Sequence, residues 1–444
     1  MTDEYLSYAD QAMFLMLRGA GQEPVIQALW LYHRPADLSG IQRLNRRLAT
    51  GPFNRRIEVS PLPFGRHRWV RAAAVPLVVE AVPVDREKIY DWADGQVDLP
   101  LDPEYGPTWR LGVAPIEGGG AVVSLVVSHC IADGAAVNRA LVAAMSGERS
   151  VDTFPVPRSR SRHRARVADL RRLRDDLPEI RRALRVGVRA WRDGREAAKV
   201  PAPRRRLPRA PGRTVHLATA SLIGDVAAWD ARAAESGGNR FALAAAVAAQ
   251  LGCAVGRRQR GGDVMLLVPV SERGDDDHAV GNLVSLAHVP APAVGQHGDL
   301  TRLRAALREG IAAARSGPDP MQALLPLIPF VPRRAIGGLA NQALGLGTNL
   351  PVSVSNMGTL DPIVRDVDGS PADVVLYRGT DRRVTTTSLE SRRGVLTVFA
   401  GVVGDQVTLT AVGWQPGTAT TCAQLRQALM AGAAAVGVTW DEVV

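Results

Sequence analysis

The sequence predicts an α/β protein built from two domains. Its 444 residues are 46% hydrophobic and 22% charged, which supplies enough apolar side chains for two cores. Each half of the chain alternates short apolar runs, typical of strands, with segments of helical periodicity. From Pro155 onward the composition shifts to Pro, Ser and Arg. We therefore predict an N-terminal domain at residues 1–154, a partly helical crossover at 155–213 and a C-terminal domain at 214–444, each domain a mixed sheet with flanking helices.

Helices and strands alternate in the first half. Asp37 precedes an apolar helical pattern and is predicted to cap it. Three glycines after Glu117 predict a hairpin turn, and Pro76 leaves the strand around it ambiguous. The predicted helices are 6–17, the segment that follows Asp37, and 134–145, and the predicted strands are 25–33, 68–79, 109–116 and 121–127.

The crossover and the second half follow the same pattern. Helical periodicity at 169–191 places Pro178 in a first turn, and four prolines predict an extended segment at 201–211. Asp299 is predicted to cap a helix at 300–315. The other predicted helices are 224–235, 241–257 and 421–435, and the predicted strands are 215–221, 264–270, 282–289, 350–354, 384–388, 395–402 and 406–414.

The formal charge of +10 is concentrated in one segment. Residues 156–214 contain nineteen arginines and one lysine against six acids, so the remaining chain carries −4. A nucleic-acid-binding segment usually has aromatic side chains among its basic residues. This segment has only Trp191 and His163, so no nucleic-acid partner is expected. A solvated arginine-rich linker and attraction to anionic partners, such as phosphates, lipid headgroups or an acidic protein, both remain open.

Cysteine usage and hydropathy predict a cytoplasmic protein. Cys130, Cys253 and Cys422 are far apart and lack paired spacing, as in reduced proteins. The first residues are acidic and lack the features of a signal peptide. No apolar run reaches about eighteen residues, and the nearest, 241–255, is interrupted by Gln250, so no spanning helix is expected.

One motif stands out for its chemistry. A valine-rich run ends at Ser128, His129 follows at once, and Asp133 with Gly134 precedes a helical pattern. This order predicts a strand, a tight loop and a helix, with the histidine at the rim of a sheet, where α/β proteins tend to bind ligands. His129 is our candidate catalytic base, and Asp133 and Gly134 would brace its loop. The alternative is a core histidine followed by a helix-capping aspartate.

The segment His129-Cys-Ile-Ala-Asp133-Gly134 resembles the His-His-x-x-x-Asp-Gly signature of the CoA-dependent acyltransferase superfamily, which includes peptide-synthetase condensation domains and polyketide-associated acyltransferases. Within the superfamily the chain is most similar to bacterial wax ester synthase/diacylglycerol acyltransferases. Three further segments resemble that group in the same order: Leu6-Ser7-x-x-Asp10-x-x-x-Phe14, then Leu101-Asp102 with Pro107-Thr108-Trp109, then Val268-Pro269-Val270-Ser271-x-Arg273 with Gly281-Asn282-x-x-Ser285.

The sequence departs from the family pattern at three places, and these differences bear on the identity of the acceptor substrate. Ser128 stands where the superfamily usually has its first histidine. An Asn-Asp pair of the wax synthase group appears only as Asn239-Arg240. The segment Ser355-Asn356-Met357-Gly358 is more similar to the loop of condensation-type enzymes than to the Asn-x-x-Gly-Pro of wax synthases.

The resemblance implies two chloramphenicol acetyltransferase-like subdomains with the active site at their interface. It implies an O-acyltransferase that moves an acyl group from acyl-CoA to an alcohol, such as a long-chain alcohol or diacylglycerol, with Arg273 paired to Asp133. A carrier-protein thioester donor or a specialised-metabolite acceptor is an alternative, as is a non-catalytic binding protein of the same fold. An acyl carrier protein and a membrane or lipid-droplet surface are further candidate partners.

The expected chemistry needs a base and an oxyanion donor. An imidazole can take the acceptor proton near neutral pH, so no covalent enzyme intermediate is required. The eight histidines are scattered and include no His-Glu-x-x-His, so neither a metal nor another cofactor is expected. Candidate donors to the oxyanion are Ser355 and Asn356, on a predicted loop that ends at Gly358. Ser128 is predicted to support His129 or its loop. Cys130 is better explained as a small packed residue. The apolar segment 324–331 suits a tunnel cover, a membrane contact or a buried loop-helix.

Overall fold

The structure is a computed structural model that describes residues 4–21, 23–148, 154–197, 212–259, 261–274, 281–292, 298–317, 322–332 and 350–444. The proline-rich segment 201–211, predicted to be extended, and most of the apolar region after residue 332 lie outside these ranges.

Ten α-helices are described, most of them at the positions that the hydrophobic pattern predicts. They are α1 (Tyr8–Ala20), α2 (Leu38–Leu48), α3 (Ile89–Asp98), α4 (Gly134–Ser146), α5 (Arg162–Ala197), α6 (Val226–Glu235), α7 (Arg240–Ala254), α8 (Thr301–Ser316), α9 (Thr386–Ser391) and α10 (Cys422–Ala435). Asp37 caps α2, as predicted, by accepting hydrogen bonds from the backbone of Ser39 and Gly40. Among the helices of the described ranges, none combines the length and apolarity that spanning a bilayer requires.

The described strands are β1 (Glu23–Tyr32), β2 (Arg55–Glu58), β3 (Arg68–Arg71), β4 (Val78–Val79), β5 (Trp109–Pro115), β6 (Ala121–Ser128), β7 (Ala218–Asp225), β8 (Val264–Ser271), β9 (Val284–Ala291), β10 (Val352–Leu360), β11 (Val374–Arg382), β12 (Val395–Val403), β13 (Gln406–Trp414) and β14 (Glu442–Val443). A five-stranded sheet in the order β11-β1-β6-β5-β4 forms the N-terminal lobe, and a seven-stranded sheet in the order β14-β7-β13-β12-β10-β8-β9 forms the C-terminal lobe. Strands β2 and β3 form a separate ribbon. The predicted class, two lobes each with a mixed sheet and flanking helices, is confirmed.

Strand β11 crosses from the second half of the chain to the N-terminal lobe. It belongs by sequence to residues 214–444 but pairs antiparallel with β1 at the edge of the N-terminal sheet. Its Arg378 is buried and donates to Gln27 and Asp94 of the N-terminal lobe and to Thr219 of the C-terminal lobe, at 2.6–2.7 Å. The crossing strand therefore joins the two lobes through a buried polar network.

Other local predictions were wrong because tertiary contacts override short patterns. Strand β11 was not predicted, and the strand predicted at 384–388 is largely replaced by α9. Residues 68–79 form two short strands, and Pro178 lies inside the long helix α5 rather than in a first turn. The segment Ser355–Gly358 is part of β10 and not a loop.

Each lobe has its own core. In the C-terminal lobe the alanine-rich helix α7 lies under the sheet with ten of its residues buried, and small side chains allow its close packing against α10. In the N-terminal lobe Trp30, Trp69 and Trp109 are almost fully buried. Strand β6, buried along its whole length, runs through this core and ends at Ser128, where His129 begins the loop.

Candidate functional site

His129 lies at the end of β6, where the N-terminal lobe meets the connection between β8 and β9. Its backbone N–H donates to Pro24 O at 3.0 Å, and its carbonyl accepts from Asn282 Nδ2 at 2.9 Å. Its side chain is partly buried, and Nδ1 is buried without a hydrogen-bond partner in the described part of the chain. The backbone of His129 is therefore fixed by both lobes, while its ring is not tied to a described side chain.

Asp133 lies at the lobe junction, where its carboxylate has partners from both lobes. Its carboxylate accepts from Arg273 Nη2 at 2.8 Å, from Leu283 N at 3.0 Å and from Ala136 N at 2.8 Å. Both charged side chains are at most 4% exposed. Asp133 thus caps α4 and forms a buried ion pair with Arg273, which is the contact that the resemblance implies. These three contacts make it a structural brace of the loop.

A second buried carboxylate lies on the other side of the same junction. Asp10 of α1 accepts from Asn282 N at 2.7 Å, from Asn282 Nδ2 at 2.9 Å and from Gly281 N at 3.2 Å. Burial raises the pKa of Asp10, and the nearby Arg55 guanidinium opposes that shift. Asp10 therefore holds Asn282, and Asn282 in turn holds the carbonyl of His129.

Arg55 completes a set of four buried charges around the loop. It is 2% exposed, donates to the carbonyl of Ile131 and stacks over the ring of Trp69 at 4.4 Å. Burial lowers its pKa to about 10, although Asp10 opposes the change. No sequence pattern pointed to Arg55. Asp10 and Asn282 do occur in the segments that carry the resemblance.

Gly281 has no room for a side chain. A Cβ atom at this position would lie 2.6 Å from Asp10 Oδ1 and 2.9 Å from Ile131 O. Gly281→Ala is therefore expected to destabilise the fold by about 1–3 kcal/mol, the usual cost of overpacking. Denaturant unfolding measures this change.

Gly95 provides the matched control for this substitution. It lies within α3, and a Cβ atom there would meet nothing within 4 Å. Gly95→Ala is expected to stabilise the protein by about 0.5–1 kcal/mol. Equal effects of the two substitutions would show that the close approach at Gly281 does not matter.

The residues predicted to supply oxyanion donors lie on β10 of the C-terminal lobe. Asn356 is exposed, and its Oδ1 accepts from Gly358 N at 3.0 Å across an irregularity in the strand. Ser355 is half-buried. No hydrogen bond in the described part of the chain joins either side chain to His129. Between them and the loop lies Met357, whose sulfur would be 3.2 Å from a Cβ atom at Gly134.

Ser128 and Cys130 flank His129 and are both buried. The Ser128 hydroxyl accepts from Cys130 N at 3.4 Å. Burial raises the pKa of the Cys130 thiol to about 12, so thiolate is scarce at neutral pH. Cys130 is unsuited to nucleophilic attack and is a packed residue of the N-terminal core.

Asp381 is a site residue that the sequence pattern missed. The register of β1 pairs Pro24 with Asp381 on one side, and the His129 backbone bonds Pro24 on the other. Burial raises the pKa of Asp381, while the positive charges of Arg392 and His129 oppose the shift. Arg392 lies 3.6 Å from the carboxylate, which is 20% exposed. A carboxylate thus lies on the strand beside Pro24, which binds the backbone of His129, and this strand was not predicted.

Comparisons with known proteins identify the fold. No protein-family model matches the sequence, and no curated protein matches it. Among solved structures, the chain is similar to a wax ester synthase/diacylglycerol acyltransferase from Marinobacter aquaeolei VT8, with a TM-score of 0.56, 17% identity, and coverage of 98% of this chain and 100% of that one. The first condensation domain of the calcium-dependent antibiotic synthetase matches with a TM-score of 0.56 and 18% identity over 100% of both chains.

Two further solved structures share this architecture. The starter condensation domain of rhizomide synthetase, in complex with C8-CoA, matches with a TM-score of 0.54 and 12% identity over 100% of this chain and 98% of that one. Polyketide synthase associated protein 5 from Mycobacterium tuberculosis matches with a TM-score of 0.51 and 15% identity over 96% and 98%. At these identities the comparisons show a common two-lobed fold.

Proposed function

We propose that this chain, which has the two-lobed fold of condensation domains and wax ester synthases, is an acyltransferase that moves an acyl group from a thioester to an acceptor. The observation that carries the proposal is the state of His129. Its backbone is held by Pro24 and Asn282 from opposite lobes, while its ring is partly exposed and has no described partner on Nδ1. An imidazole at a lobe junction, on a backbone held by hydrogen bonds, suits proton transfer to and from a bound substrate.

The proposed reaction needs one base and no covalent enzyme intermediate. His129 takes the proton of the acceptor hydroxyl as its oxygen attacks the thioester carbonyl, and a tetrahedral intermediate forms. The C–S bond then breaks, and the imidazolium returns the proton to the leaving thiolate. An imidazole can act as a general base and then as a general acid, so one side chain performs both transfers.

Ser355 is the better candidate for the oxyanion donor. The neighbouring Val354 points into the core of the C-terminal lobe, so side-chain alternation along β10 turns Ser355 to the opposite face. On that face its register partner Phe399 lies against Gly379 of β11, which belongs to the N-terminal sheet. Ser355 therefore faces the lobe junction, whereas Asn356, the next residue along the strand, is exposed.

We propose acyl-CoA as the donor, an alcohol such as a long-chain alcohol or diacylglycerol as the acceptor, and no cofactor. A carrier-protein thioester with a specialised-metabolite acceptor is the second candidate. It is favoured by Ser128 in place of the first motif histidine and by the Ser355-Asn356-Met357-Gly358 segment.

The test measures thiol release from a panel of acyl-CoAs, with and without pooled alcohols, diacylglycerols and amines. Release that depends on an acceptor is the expected result, and it identifies the acceptor class. Release from acyl-pantetheine on a carrier protein, with none from any CoA, would select the second candidate. A chain that releases thiol from neither donor would be a binding protein of the same fold.

Asp381 gives a separate prediction about this reaction. Its carboxylate would stabilise the positive charge that His129 gains on accepting the proton. Asp381→Asn is expected to lower acceptor-dependent thiol release about tenfold or more, within the range that one electrostatic contact supplies. Asp373→Asn is the control, because Asp373 lies just before the same strand and its side chain is 42% exposed. Equal activity of the two variants would remove Asp381 from the reaction.

A further inference from the structure

Helix α5 is anchored to the N-terminal lobe along one side. Its buried acids are neutralised there: Asp169 accepts from Tyr5 and lies near Arg160, and Asp176 accepts from Arg66 at 3.2 Å. Three apolar residues on this side are also buried, namely Ala165, Ile180 and Ala183. The buried side chains on the inner side of the helix therefore have their partners within the protein.

The outer side of α5 carries an exposed apolar row. Leu170, Leu177 and Leu184 recur every seven residues and therefore lie along one line of the helix. They are 53%, 38% and 51% exposed, and Val188, one turn further on, is 47% exposed. Single exposed leucines are ordinary, but a row of four apolar side chains over five turns is an exposed apolar surface.

Arginines border this row. Eleven arginines stand against four acids between Arg162 and Arg192, and two of those acids are the buried Asp169 and Asp176. The exposed arginines form no ion pair within the described ranges, and they are Arg162, Arg164, Arg166, Arg171, Arg174, Arg181, Arg182, Arg185, Arg189 and Arg192. Within the part of the chain that the structure describes, no acidic side chain pairs with these exposed arginines.

A second apolar element lies against the same helix. The 3₁₀ segment Gln322–Phe330 packs on Gly187, with Leu324 at 3.4 Å from the Cβ position. None of its residues is buried, which corrects the expectation of a buried loop-helix. Phe330 is 40% exposed and stacks on Phe64, itself 51% exposed. The apolar surface therefore extends from α5 to this pair of rings.

We propose that this face, formed by the outer side of α5 and the segment Gln322–Phe330, binds the surface of an anionic phospholipid bilayer. Leucines and a phenylalanine pair would enter the boundary between headgroups and acyl chains, and the flanking guanidinium groups would contact lipid phosphates. Charge complementarity selects an anionic surface, and the long apolar row selects a bilayer over a soluble polyanion. The proposal does not depend on the acyltransferase proposal.

The test is co-sedimentation of the full chain with vesicles of phosphatidylcholine alone and vesicles in which a third of the lipid is phosphatidylglycerol. Binding to the anionic vesicles alone, weakened by added salt, is expected. Replacing Arg181, Arg182, Arg185 and Arg189 by Gln is expected to weaken binding by roughly a hundredfold or more, since each basic residue contributes about 1 kcal/mol near such a surface. Replacing Leu170, Leu177, Leu184 and Val188 by Ser is expected to weaken it at least about tenfold.

Helix α8 supplies a charge-matched control on the other lobe. Its four arginines, Arg302, Arg304, Arg308 and Arg315, are also exposed, and their replacement by Gln should leave vesicle binding unchanged. Equal losses from the α5 and α8 variants would indicate non-specific attraction and overturn the proposal. So would equal binding to neutral vesicles, no binding, or capture by an acidic carrier protein with no vesicle binding. Thiol release with soluble substrates, measured on the same variants, separates this outcome from a failure of the proposed function.

Discussion

His129→Ala is expected to lower acceptor-dependent thiol release by about 10²–10⁴-fold, the usual contribution of a general base. The side chain projects from a loop whose backbone is held by Pro24 and Asn282, and these contacts do not involve the ring. The substitution should therefore remove the base and leave the loop in place. Steady-state assays give the activity, and thermal unfolding shows whether the fold is retained.

His288→Ala is the control for this substitution. His288 lies on β9, and its side chain is exposed. Its replacement should change neither activity nor stability. If His129→Ala keeps activity within about tenfold of the wild type, His129 is not the base, because such a loss lies below the general-base range.

Asp133→Asn is expected to destabilise the folded protein by about 3–5 kcal/mol. The substitution removes the counter-charge of Arg273 at a junction where both side chains are almost fully buried. Arg273→Met should cost a similar amount, because the Asp133 carboxylate would then stay buried without that cation. Denaturant unfolding followed by tryptophan fluorescence measures both changes.

The exposed pair of Asp230 and Arg240 is the control for burial. Their side chains are 45% and 37% exposed, so Asp230→Asn is expected to cost only about 0.2–1 kcal/mol. A loss of the same small size at Asp133 would mean that the buried pair does not hold the lobes together. A loss of activity in Asp133→Asn without any loss of stability would instead give Asp133 a direct role in the reaction.

The loop of the candidate site could be predicted because its signal is local. Ser128 to Gly134 contains a strand end, a histidine and a helix cap in sequence, and the structure forms each of them. Only the resemblance pointed to Asp10, Arg273 and Asn282, because residues so far apart in sequence show no spacing that would place them together. The structure brings all three to the same loop.

Other parts of the site were outside the reach of sequence patterns. The Ser355–Gly358 segment resembles a loop, but its residues continue β10 because β12 offers hydrogen-bond partners on that side. Strand β11 contains two arginines, a glycine and an aspartate, which are unusual in a largely buried strand, so it was missed. Its polar side chains are tolerated because they bond to residues of both lobes.

The sequence by itself determined the two-lobed α/β class, the order of most elements, the strand–loop–helix around His129 and the basic crossover. These follow from hydrophobic periodicity and local turn residues, which act over a few positions. Only the tertiary structure decided that β11 returns to the first sheet, that Asp381 pairs with Pro24 beside the backbone of His129, and that the leucine row of α5 is exposed. Strand pairing and burial depend on contacts between segments that are distant in sequence. A local pattern does not determine which distant segment will pair or pack with it.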